Sequence, residues 1–414
     1  MTDGILLLDI FYYFVATTIS VPLFKMMGLG SVIGYLVAGL ILGPSGLSLL
    51  QHADNIQEIS QFGIILLLFV IGLELSPGRL KHMQRTIWGV GIFQFVATTV
   101  VFWGGTSFFN VSLVGGFLIA CALSLSSTAF ALTYLKNSDQ ITKSYGQSSF
   151  GVLIFQDLVI IPLLTIIPLL TTENDITKQL NFFAIGKNVL IITGSILLSK
   201  FALRPALSLA YRSQSKEIFI GTCLMLVIGA SLLMEQAGLS KALGAFVAGI
   251  FLSNSNFRTE VQGFSITLKS MLMGVFFMGI GLSFDLSFFF KNITNVLLLT
   301  VSFMSIKYLI LLGMGRIIHG NWSSGIRMGG ILCQGGEFGF ILLGATASSS
   351  IFSNQVASLI TSSIALSIFI APFVTKLSEL IAYKEPIQVI NSDNVLEFSG
   401  RDDKAVTHEE SKAA

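Results

Sequence analysis

Charge is scarce in this chain. Of its 414 residues only 11% are Asp, Glu, Lys or Arg, against about 25% in soluble domains, which excludes an ordinary water-soluble fold. Histidine is nearly absent. His52, His82, His319 and His408 lie in loops or the tail, without metal-ligand spacing. The cysteines, Cys121, Cys223 and Cys333, all sit inside apolar runs, which reads as packing rather than a disulfide or a metal site. G-x-G-x-x-G, G-x-x-x-x-G-K-[ST] and H-E-x-x-H are all missing, so nucleotide and zinc chemistry have no support. A net charge of +2 makes no case for nucleic acid. The first residues carry no basic n-region and no small-residue cleavage site, so 5–24 is expected to be a retained span.

What the chain has in abundance is apolar surface. Hydrophobic residues make up 53% of it and the mean hydropathy is +0.81, which reads as an all-α polytopic membrane protein. Apolar runs predict spans near 5–24, 31–43, 60–75, 86–109, 116–135, 148–170, 184–203, 217–236, 241–253, 268–283, 293–318, 326–348 and 355–381, about thirteen transmembrane helices. Alternate connections carry Lys25; Arg79, Lys81 and Arg85; Lys136 and Lys143; Arg204, Arg212 and Lys216; Arg258 and Lys269; Arg316 and Arg327; Lys376 and Lys384. The opposite set carries only Lys178, Lys187, Lys241 and Lys291. The first set is cytoplasmic by the positive-inside rule. The amino end is then outside and the carboxyl end inside, as an odd number of spans requires. Residues 1–385 form the transmembrane domain on this reading, and the polar stretch 386–414 a cytoplasmic tail.

The two halves repeat. Gly34-Tyr-Leu-Val-Ala-Gly-Leu-Ile-Leu42 matches Gly244-Ala-Phe-Val-Ala-Gly-Ile-Phe-Leu252, and Ile71-Gly-Leu73 matches Ile280-Gly-Leu282. The first match has an offset of 210 and the second of 209, and again at 210 Ser124-Leu-Ser-Ser-Thr128 falls opposite Gln334-Gly-Gly-Glu-Phe338. The second span maps onto the ninth, an odd shift, so the repeats, about 31–170 and 241–381, insert with opposite orientation. Such repeats cross two discontinuous helices near the midplane. The hydroxyl-rich and glycine-rich segments are the expected breaks, tolerated at that depth where backbone lines a cavity or is buried in protein.

Few residues inside the spans can carry chemistry. Gln156 and Asp157 lie near the centre of Phe150–Leu164, Lys307 lies deep in 293–318, and Glu337 lies at the second break. A carboxylate at that depth costs about 2.5–3.5 kcal/mol and is a functional candidate by default. With Gln156, serine or threonine hydroxyls and freed carbonyls around it, Asp157 can offer oxygen ligands to a dehydrated Na⁺ or K⁺. It holds that metal ion or a proton but not both, and the competition couples the two flows. Lys307 needs a carboxylate partner; it is expected to hold Asp157 when the cation is absent and release it when the cation enters. Glu337 either shares the site or neutralises helix ends at the crossing. Glu74 reads as an interface residue, and Asp285 as a cap or an entrance residue.

Gly34-Tyr-Leu-Val-Ala-Gly39, Gly43-Pro-Ser-Gly-Leu47, Phe69-Val-Ile-Gly-Leu-Glu-Leu75, Leu125-Ser-Ser-Thr-Ala129, Phe155-Gln-Asp157 and Gly335-Gly-Glu-Phe338 together resemble Kef-type monovalent cation:proton antiporters over roughly 31–345. The resemblance implies a thirteen-span inverted-repeat fold with interleaved core and dimerisation subdomains, elevator-like movement of the core, and a homodimer in the bacterial inner membrane. It implies Asp157 as the ion-binding aspartate with Gln156 beside it. It also implies Ser126, Ser127 and Thr128 at the crossover, and Lys307 and Glu337 as charged partners. The Gln-Asp pair resembles the potassium-selective branch. The family's usual cytosolic nucleotide-binding domain does not follow in this sequence, so gating by nucleotide is not implied. No cofactor is expected, only transported K⁺ or Na⁺ and H⁺.

Other classes remain to be weighed. A gated K⁺ efflux channel would more naturally use rings of carbonyls and would not move protons in the opposite direction. A Na⁺-coupled organic-solute symporter of similar plan needs a larger polar cavity. An intramembrane aspartyl protease needs two facing aspartates, and only Asp157 is mid-span.

Overall fold

Hydrocarbon offers no partner to a backbone amide, so a chain this apolar folds into helices whose hydrogen bonds are internal. The computed structural model describes residues 2–27, 30–49, 63, 65–73, 83–107, 111–171, 205–236, 241–253, 255, 257–346 and 351–382. Among them there is no strand. The helices are α1 (Thr2–Met26), α2 (Ser31–Leu42), α3 over 65–73, and a π-helical stretch (Thr86–Gly91) running into α4 (Ile92–Thr106). There follow α5 (Leu113–Ser124), α6 (Thr128–Asn137), α7 (Ser144–Thr171), α8 over 205–212, α9 (Lys216–Gln236), α10 (Lys241–Ser253) and α11 (Arg258–Leu282). The last are α12 (Leu286–Lys291), α13 (Ile293–His319), α14 (Trp322–Leu332), α15 (Glu337–Thr346) and α16 (Asn354–Ile381).

Six stretches of described helix are long and apolar enough to cross a membrane, and the bent pair α14–α15 makes a seventh. α1, α2, α10 and α11 fall where the spans 5–24, 31–43, 241–253 and 268–283 were expected. The expected span 184–203, part of 60–75 with Glu74, and the tail 386–414 lie outside the described residues. The short α12 was not expected. It begins where Asp285 Oδ1 accepts the Phe288 amide at 2.9 Å, so Asp285 is a cap.

Local chemistry sets the helix ends. Ser112, Ser127, Asn321 and Ser353 cap α5, α6, α14 and α16 by accepting amides three residues on. Gly320, at φ 73°, closes α13 in the left-handed region.

Two helix crossings depend on missing side chains. α2 meets α11 where a Cβ on Gly281 would stand 3.0 Å from Gly39 Cα, and α3 meets α10 where a Cβ on Gly249 would stand 2.9 Å from Gly72 Cα. Small residues let backbones touch in this way. The glycines are those of the sequence repeat: Gly39 answers to Gly249, and Gly72 to Gly281.

Two helices are broken mid-course. Between α5 and α6, Leu125 to Ser127 leave the helix, with Leu125 extended at ψ 146°. Between α14 and α15, Cys333 to Gly336 do the same, with a bend of 47°. The breaks lie against each other: a Cβ on Gly336 would stand 2.6 Å from the Ser126 carbonyl carbon and oxygen. α4, α7, α13 and α16 pack around this contact, and all three free cysteines are buried.

Candidate functional site

Breaking a helix frees carbonyls at the end of the first half and amides at the start of the second. The site is built from the side chains that satisfy them. Lys307 comes from α13, is fully buried, and donates from Nζ to Leu125 O at 2.7 Å, Gln334 O at 2.9 Å and Leu123 O at 3.3 Å. None of these is a carboxylate. Lys307, expected to hold Asp157 while the cation is absent, is here bonded to backbone carbonyls. The ammonium is bound by the carbonyl ends of α5 and α14, where helix dipoles place negative partial charge. Three charged hydrogen bonds in a fixed cage are the compensation that a buried cation needs.

Glu337 does the converse. It opens α15 and is almost wholly buried, and its Oε1 accepts the Ala129 amide at 3.2 Å, in the first turn of α6. One carboxylate thus sits at the positive ends of both second halves. It also lines a cavity shared with Asp157.

The polar residues of the first break divide the remaining work. Ser126 Oγ donates to Leu332 O at 2.8 Å, tying one break to the other. Ser127 Oγ caps α6 by accepting the Phe130 amide at 3.2 Å. Gln156 Oε1 accepts the Ser126 amide at 2.7 Å, and its Nε2 donates to Gln94 Oε1 at 2.7 Å and to Ser124 O at 3.2 Å. Gln156 is thereby a brace for the unwound strand. Of the three hydroxyl residues, Thr128 is the one joined to the carboxylate, donating to Asp157 Oδ1 at 2.9 Å.

Asp157 retains 9% of its exposure. With Thr128, Ala129 and Glu337 it lines a cavity of about 650 Å³ that extends past Tyr134 to Lys25 and Lys136. A carboxylate, a threonine hydroxyl and a second carboxylate on one wall make an oxygen-rich lining, the chemistry that hard cations take. The structure brings Asp157, Thr128 and Glu337 together on that wall, and sets Gln156, Ser126 and Ser127 behind it as its frame.

Sequence reasoning passed over Gln94. It is fully buried on α4, and its Nε2 donates to Ser124 O and to Thr98 Oγ1, each at 3.3 Å. Thr99 Oγ1 adds a 3.0 Å bond to Ser124 Oγ. A polar trio at 94, 98 and 99 on one face of an apolar span was the available signal.

The family model for the transmembrane sodium/hydrogen exchanger matches residues 12–377. Among solved structures, the sodium proton antiporter MjNhaP1 from Methanocaldococcus jannaschii at pH 8 is similar, with a TM-score of 0.62 and 16% identity over 92% of this chain and 99% of that one. The structure of the same antiporter from an electron-microscopy map gives 0.60 and 16% over 94% and 99%. At that identity the likeness is one of fold. The chain belongs to the transmembrane sodium/hydrogen exchanger family.

Proposed function

We propose that this multi-pass membrane protein exchanges a monovalent cation, K⁺ in preference with Na⁺ accepted, for H⁺ by alternating access, and that cation and proton compete for Asp157. The observation that carries the reading is the placement of Asp157. Its carboxylate is bonded to Thr128 beside the broken helix and stands on the wall of a cavity that reaches out to Lys25 and Lys136. Thr128 and Glu337 complete the oxygen set. Gln156 contributes by bracing the strand and by keeping the position beside Asp157 neutral. The preference for K⁺ rests on that Gln-Asp pair, the feature in which the sequence resembles the potassium-selective branch.

The same reading takes the fold as about thirteen spans in two inverted repeats, 31–170 and 241–381, with core and dimerisation subdomains, elevator movement, and a homodimer in the bacterial inner membrane. The paired glycine crossings support it: Gly39 on Gly281 and Gly72 on Gly249 are one contact made twice with the partners exchanged. On the same reading the cavity mouth, with Lys25 and Lys136, faces the cytoplasm, the amino end is outside and the carboxyl end inside, and the basic connections support that orientation.

The test is proton flux in proteoliposomes under imposed K⁺ or Na⁺ gradients, wild type beside Asp157→Asn. The expected result is saturable counter-movement of protons, faster with K⁺, and abolished in Asp157→Asn. Cation flux with no opposing proton movement would establish a channel instead. Full exchange in Asp157→Asn would overturn the assignment.

A further inference from the structure

We propose that Gln94 is a positioning residue for the cation site, acting through Gln156, and that it is the neutral counterpart of Lys307 in the other repeat. This rests on the reading of Asp157 as the cation site.

The two breaks are held by the same kind of clamp. At the second break, the preceding helix α13 sends a donor, Lys307 Nζ, to Gln334 O, and the following helix α16 sends an acceptor, Ser367 Oγ, to the Gly335 amide at 2.9 Å. At the first break, the preceding helix α4 sends a donor, Gln94 Nε2, to Ser124 O, and the following helix α7 sends an acceptor, Gln156 Oε1, to the Ser126 amide. Ser124 and Gln334 are equivalent at the repeat offset of 210, and Ser126 and Gly335 differ from it by one.

The clamps differ in two respects. The donor at the first break is an amide where the second has an ammonium. An amide also accepts, and Gln94 Oε1 takes the Gln156 Nε2 hydrogen at 2.7 Å. That bond fixes which end of the Gln156 amide faces the Ser126 amide, so Gln94 sets the orientation of the brace. The second difference is the neighbour of the acceptor along the chain. Next to Ser367 stands Ile368, whereas next to Gln156 stands Asp157, and both Ile368 and Asp157 line the cavity. The first clamp is one residue from the carboxylate, so a loosened brace shifts Asp157 and Thr128 relative to each other. The π-helical stretch Thr86–Gly91 lies one turn before Gln94 and packs on α7 at Gly151 and Phe155, so the same helix grips α7 immediately ahead of the pair. π-Helical turns recur at functional positions.

The experiment measures exchange in proteoliposomes for wild type, Gln94→Met, the milder Gln94→Asn, Gln156→Met and the double variant Gln94→Met/Gln156→Met, with melting temperature measured alongside. Gln94→Met keeps the volume and removes both hydrogen-bonding ends. The expected result is an apparent KM for the cation raised about tenfold, with a maximal rate per folded protein near wild type and a modest fall in melting temperature. The double variant should be no worse in KM than Gln156→Met alone. If Gln94→Met fails to fold, Gln94→Asn carries the test, because it retains an amide one methylene short; its KM should rise by a smaller factor. An unchanged KM with a rate that falls in step with folded protein would reduce Gln94 to a packing residue and overturn the proposal. Additive KM effects would overturn its action through Gln156. Asp157→Asn, run in parallel, separates the two failures: exchange surviving there refutes the cation site itself, whatever Gln94 does.

Discussion

Replacing Asp157 by Asn decides between two accounts of the buried lysine. If Asp157 compensated Lys307, the substitution would strand an ammonium inside the protein, at a cost of about 3–5 kcal/mol. In the structure the ammonium is held instead by three carbonyls at 2.7, 2.9 and 3.3 Å. Hydrogen bonds to a charged group contribute about 1.5–3 kcal/mol each, and Asp157→Asn touches none of them. Among the bonds it does alter is that from Thr128, whose acceptor becomes neutral. That loss is about 1 kcal/mol before any relief from removing a charge at 9% exposure. At roughly 2–4 °C per kcal/mol, the melting temperature should move by less than about 4 °C, against a fall of at least about 6 °C for a stranded ammonium. The measurement is thermal unfolding of the purified protein in detergent, followed by intrinsic fluorescence.

Lys307→Met is the complement. It leaves three carbonyls without their donor, at about 1–3 kcal/mol each, partly offset by no longer desolvating an ammonium. The cost should be the same in the wild-type and Asp157→Asn backgrounds, because the two residues do not share a bond. A large fall in melting temperature in Asp157→Asn, or a coupling above about 1 kcal/mol in the double-mutant cycle, would refute the carbonyl-cage account and restore the ion pair.

Three further outcomes are expected. Glu337→Gln removes the charge shared by the starts of α6 and α15; it should lower stability by about 1 kcal/mol in the same unfolding assay and slow exchange in proteoliposomes. Gly336→Val places a branched side chain where even a Cβ would stand 2.6 Å from the Ser126 backbone, so exchange should be lost and the melting temperature should fall. Lowering pH should raise the apparent KM for the cation, approaching about tenfold per unit once the proton dominates the site, with the rate at saturating cation unchanged; a rate that falls while KM stays constant would show that the proton acts elsewhere.

The legible parts of this fold were those that stand out against an apolar background. The two breaks and the glycine crossings were visible because hydroxyls and paired glycines are rare in a span. Lys307 was expected beside a carboxylate, and the structure bonds it to carbonyls. Counting carboxylates leaves out the acceptors that a broken helix itself creates, and the same reading that found the breaks had already implied free carbonyls there. Gln94 was overlooked because a single amide in a long apolar run looks like an ordinary core residue. Its meaning comes from Gln156 and Ser124, which are 62 and 30 positions away. The π-helical stretch left no sequence mark of its own.

The electrostatics of the crossing bear on why the proposed cation site sits beside it rather than within it. Four helix ends converge there, two presenting carbonyls and two presenting amides, so each pair needs one opposite charge. Lys307 serves the carbonyl ends of α5 and α14, and Glu337 reaches from the start of α15 to that of α6. The charges of the crossing are thereby matched by residues whose positions are fixed by backbone geometry. A group that must gain and lose a cation on every cycle is better placed outside that balance, where its change of charge does not undo the crossing. Asp157 meets the condition: it touches the frame through Thr128 and faces the cavity. On the proposed reading, Asp157 changes charge while the crossing stays assembled, as repeated turnover requires.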